Sequence, residues 1–239
     1  MTKQKVRGIV LREYEAGESD KRLIILCKGI GRIMVYARGA RKPTSKFMAA
    51  AQLFTYADFV LTRGRGFYAL AQADIIENFY PLREDCDRLM SAHMIAEVCE
   101  KTMWDNLESD DLLRLALRSL SVLSKGEVPP LQVSSVFLTR FFDVYGLRPQ
   151  TDACMVCSTA LTKDIKVVLT TEGLVCDTHK PVVYQPLSST AMFALQYILS
   201  GDLSQAFRFT AQEGLLAELH RAAHFLWKCH FDWKIVSET

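Results

Sequence analysis

The hydrophobic period of this sequence changes once, near Pro81, and that change constrains the possible folds more than any other feature. Before Pro81, short segments rich in β-branched and aromatic residues alternate with turn residues, a pattern typical of β-strands. After Pro81, apolar residues recur about every 3.6 positions, which is typical of amphipathic helices. The sequence therefore predicts an α+β protein, with strands in the first third and helices in the remainder.

Residues 1–80 contain five predicted strands separated by turns that contain glycine. Five strands in so short a segment favour a small closed barrel, because closure removes the exposed edges that an open sheet would leave. We therefore predict a barrel domain over residues 1–80. The predicted strands are Val6–Arg12, Arg22–Cys27, Arg32–Ala37, Phe54–Thr62 and Phe67–Ile76.

Residues 81–239 predict a helical domain. Its helices begin at capping residues such as Ser109 and Ser188 and end near Gly or Pro residues. One segment, residues 149–186, lacks the helical period and interrupts the domain as an insert. The predicted helices cover residues 82–103, 109–126, 131–145, 188–199 and 212–233.

The insert contains two short motifs with the spacing of metal ligands. Cys154 and Cys157 form a C-x2-C pair, and after eighteen intervening residues Cys176 and His179 form a C-x2-H pair. Two such pairs place four ligands around one tetrahedral ion, which predicts a finger that binds one Zn²⁺. All four ligands come from the protein, so we expect a structural ion with no open position for catalysis.

The residues between the two pairs predict a β-hairpin that brings them together. Val167–Thr170 and Leu174–Val175 flank Glu172 and Gly173, which have turn chemistry. Disulfides, or free thiols that fall at this spacing by chance, are the alternatives to a metal site. A cytosolic location would argue against disulfides.

Charge is distributed unevenly along the chain. Residues 1–70 contain fourteen Lys and Arg against five Asp and Glu, a net charge of +9, whereas the remaining residues carry fifteen against twenty-two, a net charge of −7. A basic segment of this kind predicts a polyanionic partner, although basic residues scattered over a solvated domain would give the same balance. The candidate nucleic-acid-binding cations lie in or beside the predicted turns: Lys28, Arg32, Arg38, Arg41, Lys42, Lys46, Arg63 and Arg65.

Aromatic residues lie among these cations, at Tyr36, Phe47, Phe54, Phe67 and Tyr68. A cationic groove with exposed aromatic rings is typical of proteins that bind single-stranded nucleic acid with little sequence preference. The alternative is that the rings are core residues, which we favour for Phe54 and Phe67 because both lie in predicted strands.

Several functional classes lack support in the sequence. It contains no phosphate-binding G-x-x-x-x-G-K-[ST] motif, no G-x-S-x-G motif and no carboxylate pair with a metal-binding neighbourhood, so we expect a protein that is not an enzyme. No apolar run reaches the length of about 18 residues that a membrane span needs. Charged residues at Arg12 and Glu13 come before any signal-peptide core could form, so we expect a cytoplasmic protein.

Residues 8–42 resemble the opening of the RecO family, the bacterial recombination mediators. The resemblance rests on Gly-Ile-Val-Leu-Arg-Glu-Tyr, on Gly-Glu-Ser-Asp before the second strand and on Ala-Arg-Gly-Ala-Arg-Lys after the third. It extends over the whole chain in the order of barrel, helical domain and inserted finger. The fourth metal ligand of this family is usually cysteine, whereas this chain has His179, and some relatives lack the cysteines altogether.

The resemblance implies an OB-fold barrel that binds single-stranded and double-stranded DNA and anneals complementary strands. It also implies that RecR is a partner in loading RecA onto DNA coated by single-stranded DNA-binding protein (SSB), and that the protein joins the nucleoid during repair. The DNA-contacting region of the family would correspond to Arg32, Arg38, Arg41, Lys42 and Lys46. Family members bind the acidic C-terminal tail of SSB on the helical domain, and here Arg140 beside Phe137, Phe141 and Phe142 is the candidate.

Two other functions remain open on the sequence. An OB-fold protein that binds RNA would use the same basic groove, and competition between matched RNA and DNA oligonucleotides separates the two. A protein–protein adaptor would act through the acidic helical half, and absence of all oligonucleotide binding at low salt would favour it.

Overall fold

The computed structural model describes residues 3–64, 67–105 and 107–238, and it has strands first and helices second, as predicted. The chain divides into two compact units, Met1–Ser124 and Lys125–Thr239. The first unit therefore contains two helices besides the barrel. The predicted domain boundary at residue 80 marks the end of the strand pattern and stays a prediction.

The five strands of the first unit form a closed barrel in the order β1-β2-β3-β5-β4. Four of the pairings between neighbouring strands are antiparallel and one is parallel. β3 and β5 pair in parallel through Val35–Tyr68 and Tyr36–Ala69, and β1 closes the barrel against β4. Alternate residues point inward along the strands, so Val10, Ile25 and Phe59 meet in one core. The strands are β1 Lys3–Ala16, β2 Asp20–Cys27, β3 Gly31–Ala37, β4 Tyr56–Arg63 and β5 Tyr68–Glu77.

Two strands differ from the sequence prediction for local reasons. β1 is longer than predicted at both ends, and a bulge between Val10 and Arg12 lets it pair with β2 and β4 along most of its length. The fourth strand begins at Tyr56 instead of Phe54, because Phe54 has a left-handed backbone with φ of 66° that a strand does not accommodate. Residues 38–54 form successive turns, from which Phe47 and Ala51 contribute to the barrel core.

Helices α1 (Cys86–Thr102) and α2 (Asp110–Lys125) also belong to the first unit, apart from Lys125, at which the second unit begins. The predicted start of α1 at residue 82 is wrong, because Leu82 belongs to a separate 3-10 helix, Tyr80–Glu84. Asp85 then caps α1 by accepting the Arg88 N–H at 2.9 Å. Glu100 of α1 accepts hydrogen bonds from Arg12 and Tyr14, at 3.1 and 3.2 Å, and so fastens the helix to β1.

The second unit packs helices around an aromatic core that contains Phe141, Phe142 and Trp227. The last helix ends at His230, three residues before the predicted end, and the chain then turns so that Trp227 Nε1 donates to the Trp233 carbonyl at 3.0 Å. The helices are α3 Pro130–Val144, α4 Ser189–Ser200 and α5 Glu213–His230, and the strands are β6 Val167–Leu169, β7 Leu174–Cys176 and β8 Gln185–Leu187.

The small sheet of the second unit has the order β7-β6-β8, and its β6–β7 hairpin confirms the hairpin predicted for the insert. Only glycine fits at position 173, where the hairpin lies against Gln150 in the segment that precedes Cys154. Its φ is +155°, and a Cβ there would lie 2.3 Å from the Gln150 carbonyl oxygen. Leu174 N–H donates to that carbonyl at 2.8 Å, so the close approach aligns the two segments that carry the cysteines.

Candidate metal centre and nucleic-acid interface

The four predicted metal ligands lie together in the second unit. Cys154 and Cys157 share one turn, in which the Ser158 N–H donates to the Cys154 carbonyl at 2.8 Å. Cys176 ends β7, and His179 ends the short 3-10 helix that follows. The ligand atoms of all four residues lie within 4.8 Å of one another.

The sulfur–sulfur distances fit the ligands of one tetrahedral metal ion, and the imidazole of His179 lies within hydrogen-bond distance of Cys176. Cys176 Sγ lies 3.6 Å from Cys154 Sγ and 3.8 Å from Cys157 Sγ. His179 Nδ1 lies 3.9 Å from Cys154 Sγ and 2.9 Å from Cys176 Sγ. Metal–sulfur bonds of about 2.3 Å in a tetrahedron separate the sulfur atoms by about 3.8 Å, whereas a disulfide separates them by only about 2.05 Å. The cluster could therefore bind one metal ion, and these cysteines are not paired in disulfides.

The backbone around Cys154 favours its thiolate form. Burial opposes ionisation of this thiol, but N–H groups of Cys157, Cys176 and Val156 outweigh burial and lower the pKa of Cys154 to about 6. One of these contacts, from the Cys176 N–H to Cys154 Sγ, measures 3.4 Å. A thiolate is the form that binds a metal ion, so the turn prepares Cys154 for that role.

The other two cysteines have a threonine hydroxyl beside them. Thr159 Oγ1 lies 3.2 Å from Cys157 Sγ, and Thr178 Oγ1 lies 3.2 Å from Cys176 Sγ. Cys157 Sγ donates to the Thr159 hydroxyl, whereas the Thr178 hydroxyl is placed to donate to a Cys176 thiolate, as residues around metal ligands commonly do. Our sequence analysis missed both residues, although each threonine follows its cysteine by two positions and that repetition was visible.

The basic loop, residues 38–46, is fastened to the turn before β2. Gly39 N–H donates to Asp20 Oδ1 at 2.7 Å, and Arg41 N–H donates to the Ser19 carbonyl at 2.9 Å. The Arg41 guanidinium donates to the Gly17 carbonyl at 3.0 Å. The Gly-Glu-Ser-Asp and Ala-Arg-Gly-Ala-Arg-Lys motifs are therefore in direct contact.

Asp20 is the central acceptor of this contact. The Gly39 N–H is the main cause that lowers the pKa of Asp20, and the Ser19 hydroxyl and the charges of Arg38 and Lys42 lower it further. The carboxylate therefore stays ionised while it accepts the loop's backbone N–H.

Three of the predicted DNA-binding cations also make bonds within the first unit. Arg32 donates to Asp105 at 2.8 Å and to the Glu100 carbonyl at 2.5 Å. Arg41 forms an ion pair with Glu15 at 3.0 Å, and Lys46 donates to the Ala71 carbonyl at 3.3 Å. These contacts fix the side chains in place and leave them less free to follow a ligand.

Four other predicted cations are more available. Within the described part of the chain, none of them forms an ion pair, and all four side chains are exposed: Lys28, Arg38, Lys42 and Arg63. Arg65 lies outside the described residues. The structure therefore separates the predicted cations into bonded residues and residues that face solvent freely.

The aromatic residues divide in a similar way. Phe47 and Phe54 are buried, at 8% and 1% exposure, so the core prediction for Phe54 is confirmed. Phe67 is 41% exposed and precedes β5, so the core prediction for Phe67 is wrong. The Gly-rich segment just before it was the signal that this ring lies at the edge of a turn. Its ring contacts Tyr36 edge to face, with centroids 5.5 Å apart.

Arg140, the predicted contact for an acidic peptide tail, is buried at 8% exposure. Its guanidinium donates to Asp143 at 3.1 Å and to the carbonyls of Leu199 and Gly201. These bonds join the end of α3 to the end of α4. The neighbouring residues Phe137, Phe141 and Phe142 are fully buried.

The fold and the sites define a class of protein: an OB-type closed barrel, followed by helices that carry a Cys3His metal-binding cluster. Comparison with known families narrows that class. The family model described as Recombination protein O N terminal matches residues 1–79 of this sequence. The family model described as Recombination protein O C terminal matches residues 83–238. This chain therefore belongs to the RecO family of DNA repair proteins, which confirms the resemblance found in its opening residues.

Individual relatives agree with that assignment. The DNA repair protein RecO of Acetivibrio thermocellus is 33% identical over 223 residues, which cover 92% of this chain and 88% of the relative. The protein of the same name from Bacillus cereus is 31% identical over 176 residues, 74% of this chain and 70% of the relative. Among the described residues, no helix has the length and apolar character that a membrane crossing requires.

Proposed function

We propose that this protein is a recombination mediator that binds single-stranded and double-stranded DNA on its barrel, anneals complementary strands and catalyses no covalent step. One observation carries the proposal: the basic loop is fastened to the barrel by Asp20, yet Arg38 and Lys42 on that loop remain exposed. A loop that is held in place by hydrogen bonds while its cations stay exposed is suited to phosphate binding, since these cations need not break internal bonds before they bind a phosphate.

The same barrel extends the set of cations beyond the loop. Lys28 and Arg63 are exposed on other turns of the barrel. If about four phosphates of a single strand are neutralised, the logarithm of the binding constant falls with the logarithm of salt concentration with a slope of about −3. RNA would satisfy the same charges, and competition between matched RNA and DNA oligonucleotides tests the preference for DNA.

Family membership supports the partners that we propose for this protein. We place this protein in the bacterial cytoplasm, at the nucleoid during repair, where RecR joins it in loading RecA onto SSB-coated DNA. The acidic tail of SSB would bind the second unit. Because the Arg140 guanidinium is bonded to Asp143 and to two carbonyls, a tail could reach it only by replacing those bonds.

We propose Zn²⁺ as the ion of the Cys3His cluster, because three thiolates and one imidazole in a tetrahedron are its preferred ligands. With four protein ligands, the ion supplies a cross-link between the Cys154–Cys157 turn and the end of β7, and no open position for a reactant. Elemental analysis of the purified protein tests this, with one equivalent of zinc expected.

Charge reversal on the loop tests the proposed DNA surface. The Arg38→Glu, Lys42→Glu double variant should lose strand annealing, because two cations become anions where phosphates bind. It should also reduce the steepness of the salt dependence by about 1.4, because two phosphate contacts on a single strand are lost. Annealing is followed with fluorescently labelled complementary strands.

The Lys125→Glu, Lys228→Glu variant is the matched control, since it makes the same change in net charge at exposed positions of the second unit. It should anneal strands as the wild type does. Equal annealing by both double variants would contradict the proposed surface.

A further inference from the structure

Phe67 and Tyr36 form an aromatic pair on the outside of the barrel, in which Phe67 is exposed and Tyr36 is half-buried. The rings meet edge to face, with an interplanar angle of 70° and centroids 5.5 Å apart. Phe67 is 41% exposed, although burial of a phenylalanine ring is strongly favourable. The ring therefore lies on the surface, whereas Phe47 packs in the barrel core and Phe54 is buried against His93 of α1.

The barrel topology holds this pair in place. The parallel pairing of β3 with β5 sets Tyr36 opposite Ala69, only two residues after Phe67. Gly64 N–H donates to the Phe67 carbonyl at 2.9 Å, and the Phe67 ring lies over Gly64. A Cβ at position 64 would lie 2.9 Å from that ring, so glycine provides the space in which the ring rests. Two strands and a backbone hydrogen bond thus orient the rings before any ligand arrives.

Basic residues flank the pair. Arg63 is exposed at the end of β4, opposite Tyr68 of β5, and Arg38 is exposed two residues after Tyr36. Lys46 donates to the carbonyl of Ala71, further along β5. An aromatic surface bordered by cations is the arrangement in which a base stacks while its phosphates are neutralised.

Exposed apolar residues near the end of β5 have different surroundings from those of the aromatic pair. Ile75 and Ile76 are also exposed, but Asp74 and Glu77 lie beside them. Carboxylates repel a phosphate backbone, so this end of β5 is unsuited to nucleic acid. The aromatic pair is therefore distinguished by its cationic border as well as by its exposure.

From these observations we propose that Phe67 and Tyr36 are a stacking platform for an unpaired base, and that this platform makes the barrel prefer single strands over duplex DNA. A paired base is stacked between its neighbours in the duplex and has no free face. An unpaired base has a face that is free to stack on an aromatic ring. The inference rests on the proposed function, because it assumes that the barrel binds DNA.

The test compares two ligands with equal charge. Oligothymidylate and an abasic oligomer of the same phosphate number are titrated against the full-length wild type and a Phe67→Leu variant. Leucine keeps an apolar contact over Gly64 but has no aromatic face. The wild type should bind oligothymidylate more tightly than the abasic oligomer by about 5-fold or more, and the variant should lose most of that difference. Affinity for duplex DNA should be unchanged.

Two further variants keep the result interpretable. Ile75→Ala, which alters a comparably exposed apolar residue of β5, should retain the preference for oligothymidylate. Phe67→Trp, which keeps an aromatic ring at this position, should also retain the preference. The fluorescence of the added indole should be quenched by oligothymidylate and not by the abasic oligomer. This readout does not depend on the stability of the leucine variant.

The outcomes separate the two proposals. If the wild type binds neither oligomer in dilute salt, the proposed function fails and this inference fails with it. If the wild type binds both oligomers equally, or if Phe67→Leu keeps the full preference, the DNA-binding proposal stands and the stacking platform is overturned.

Discussion

At the scale of single residues, hydrogen bonds decide which charged groups are structural and which are available. Arg140 and Arg32 both appear in sequence as isolated cations, yet each donates to carbonyl or carboxylate oxygens within its own unit. Arg38 and Lys42 have the same residue chemistry but remain exposed. Residue type alone does not distinguish these cases, because most of the partner oxygens come from distant parts of the chain.

Asp58 illustrates a charged residue that stabilises the barrel. It accepts hydrogen bonds from Arg7 at 2.7 and 3.0 Å and pairs with Lys5 at 3.2 Å, joining β1 to β4. The Arg7 hydrogen bond is the main cause that lowers the pKa of Asp58 to about 2. A carboxyl with a pKa of about 3.9 in the unfolded chain then contributes stability that is complete above that value and is lost as the pH falls towards 2.

We predict that Asp58→Asn is less stable than the wild type at pH 6 and that the difference disappears near pH 2. Urea unfolding at a series of pH values measures it. Glu18→Gln, at an exposed turn before β2, is the matched control and should show no such convergence. A constant difference between Asp58→Asn and the wild type across the series would show that the ion pairs are not its source.

At the scale of elements, the ends of helices and strands place the functional residues. The turn before β2 fastens the basic loop, and the end of β7 presents Cys176 to the other ligands. Helix α4 has a comparable device at its start. Ser188 accepts the Ala191 N–H at 3.1 Å, and its own N–H and hydroxyl donate to Glu218 of α5 at 2.5 and 2.7 Å.

We predict that Ser188→Ala destabilises the second unit by about 1–2 kcal/mol, because it removes the cap of α4 and one hydrogen bond of the Glu218 carboxylate. Ser200→Ala, at the other end of the same helix, is the control and should be close to neutral, since its hydroxyl makes one exposed contact with Tyr197. The urea midpoint and the hydrogen exchange of α4 amides measure both variants. An equal effect at the two ends would contradict the role of the cap.

At the scale of the whole molecule, charge and metal binding belong to different units. The residues with a net charge of +9 lie within the barrel unit, and the Cys3His cluster lies in the second unit. The cluster joins the 154–157 turn to the hairpin, whose buried residues Val167, Leu169 and Leu174 form a small core. A bound ion would stabilise that core, since structural zinc contributes roughly 10–16 kcal/mol to small finger peptides.

We predict that removal of the metal with a chelator speeds amide exchange in β6 and β7 on the order of tenfold or more, and leaves exchange in the barrel strands unchanged. Hydrogen exchange read by mass spectrometry measures both regions in one sample. Cys157→Ser should reproduce the effect without a chelator, and added Zn²⁺ should reverse only the chelated wild type. Unchanged exchange in β6 and β7 would mean that the sheet is stable without the ion.

Local patterns in the sequence were sufficient for the elements and for the metal ligands. The change of period near Pro81 separates strands from helices, because alternation and a 3.6-residue period each describe one backbone geometry. The spacing of Cys154, Cys157, Cys176 and His179 identifies one cluster, because two short pairs can reach a single ion. The resemblance to the RecO family rests on two motifs whose residues prove to be in contact, through Asp20 and Gly39.

Tertiary structure alone decided which of the candidate residues face solvent. The pairing of β3 with β5 and the packing of the Phe67 ring over Gly64 keep Phe67 on the surface. Its sequence context had predicted a buried residue within a strand. The carbonyls of Leu199 and Gly201 bury Arg140 from sixty residues away along the chain. Sequence by itself determined local geometry and ligand chemistry, whereas exposure depends on contacts between distant segments, which no local period or spacing encodes.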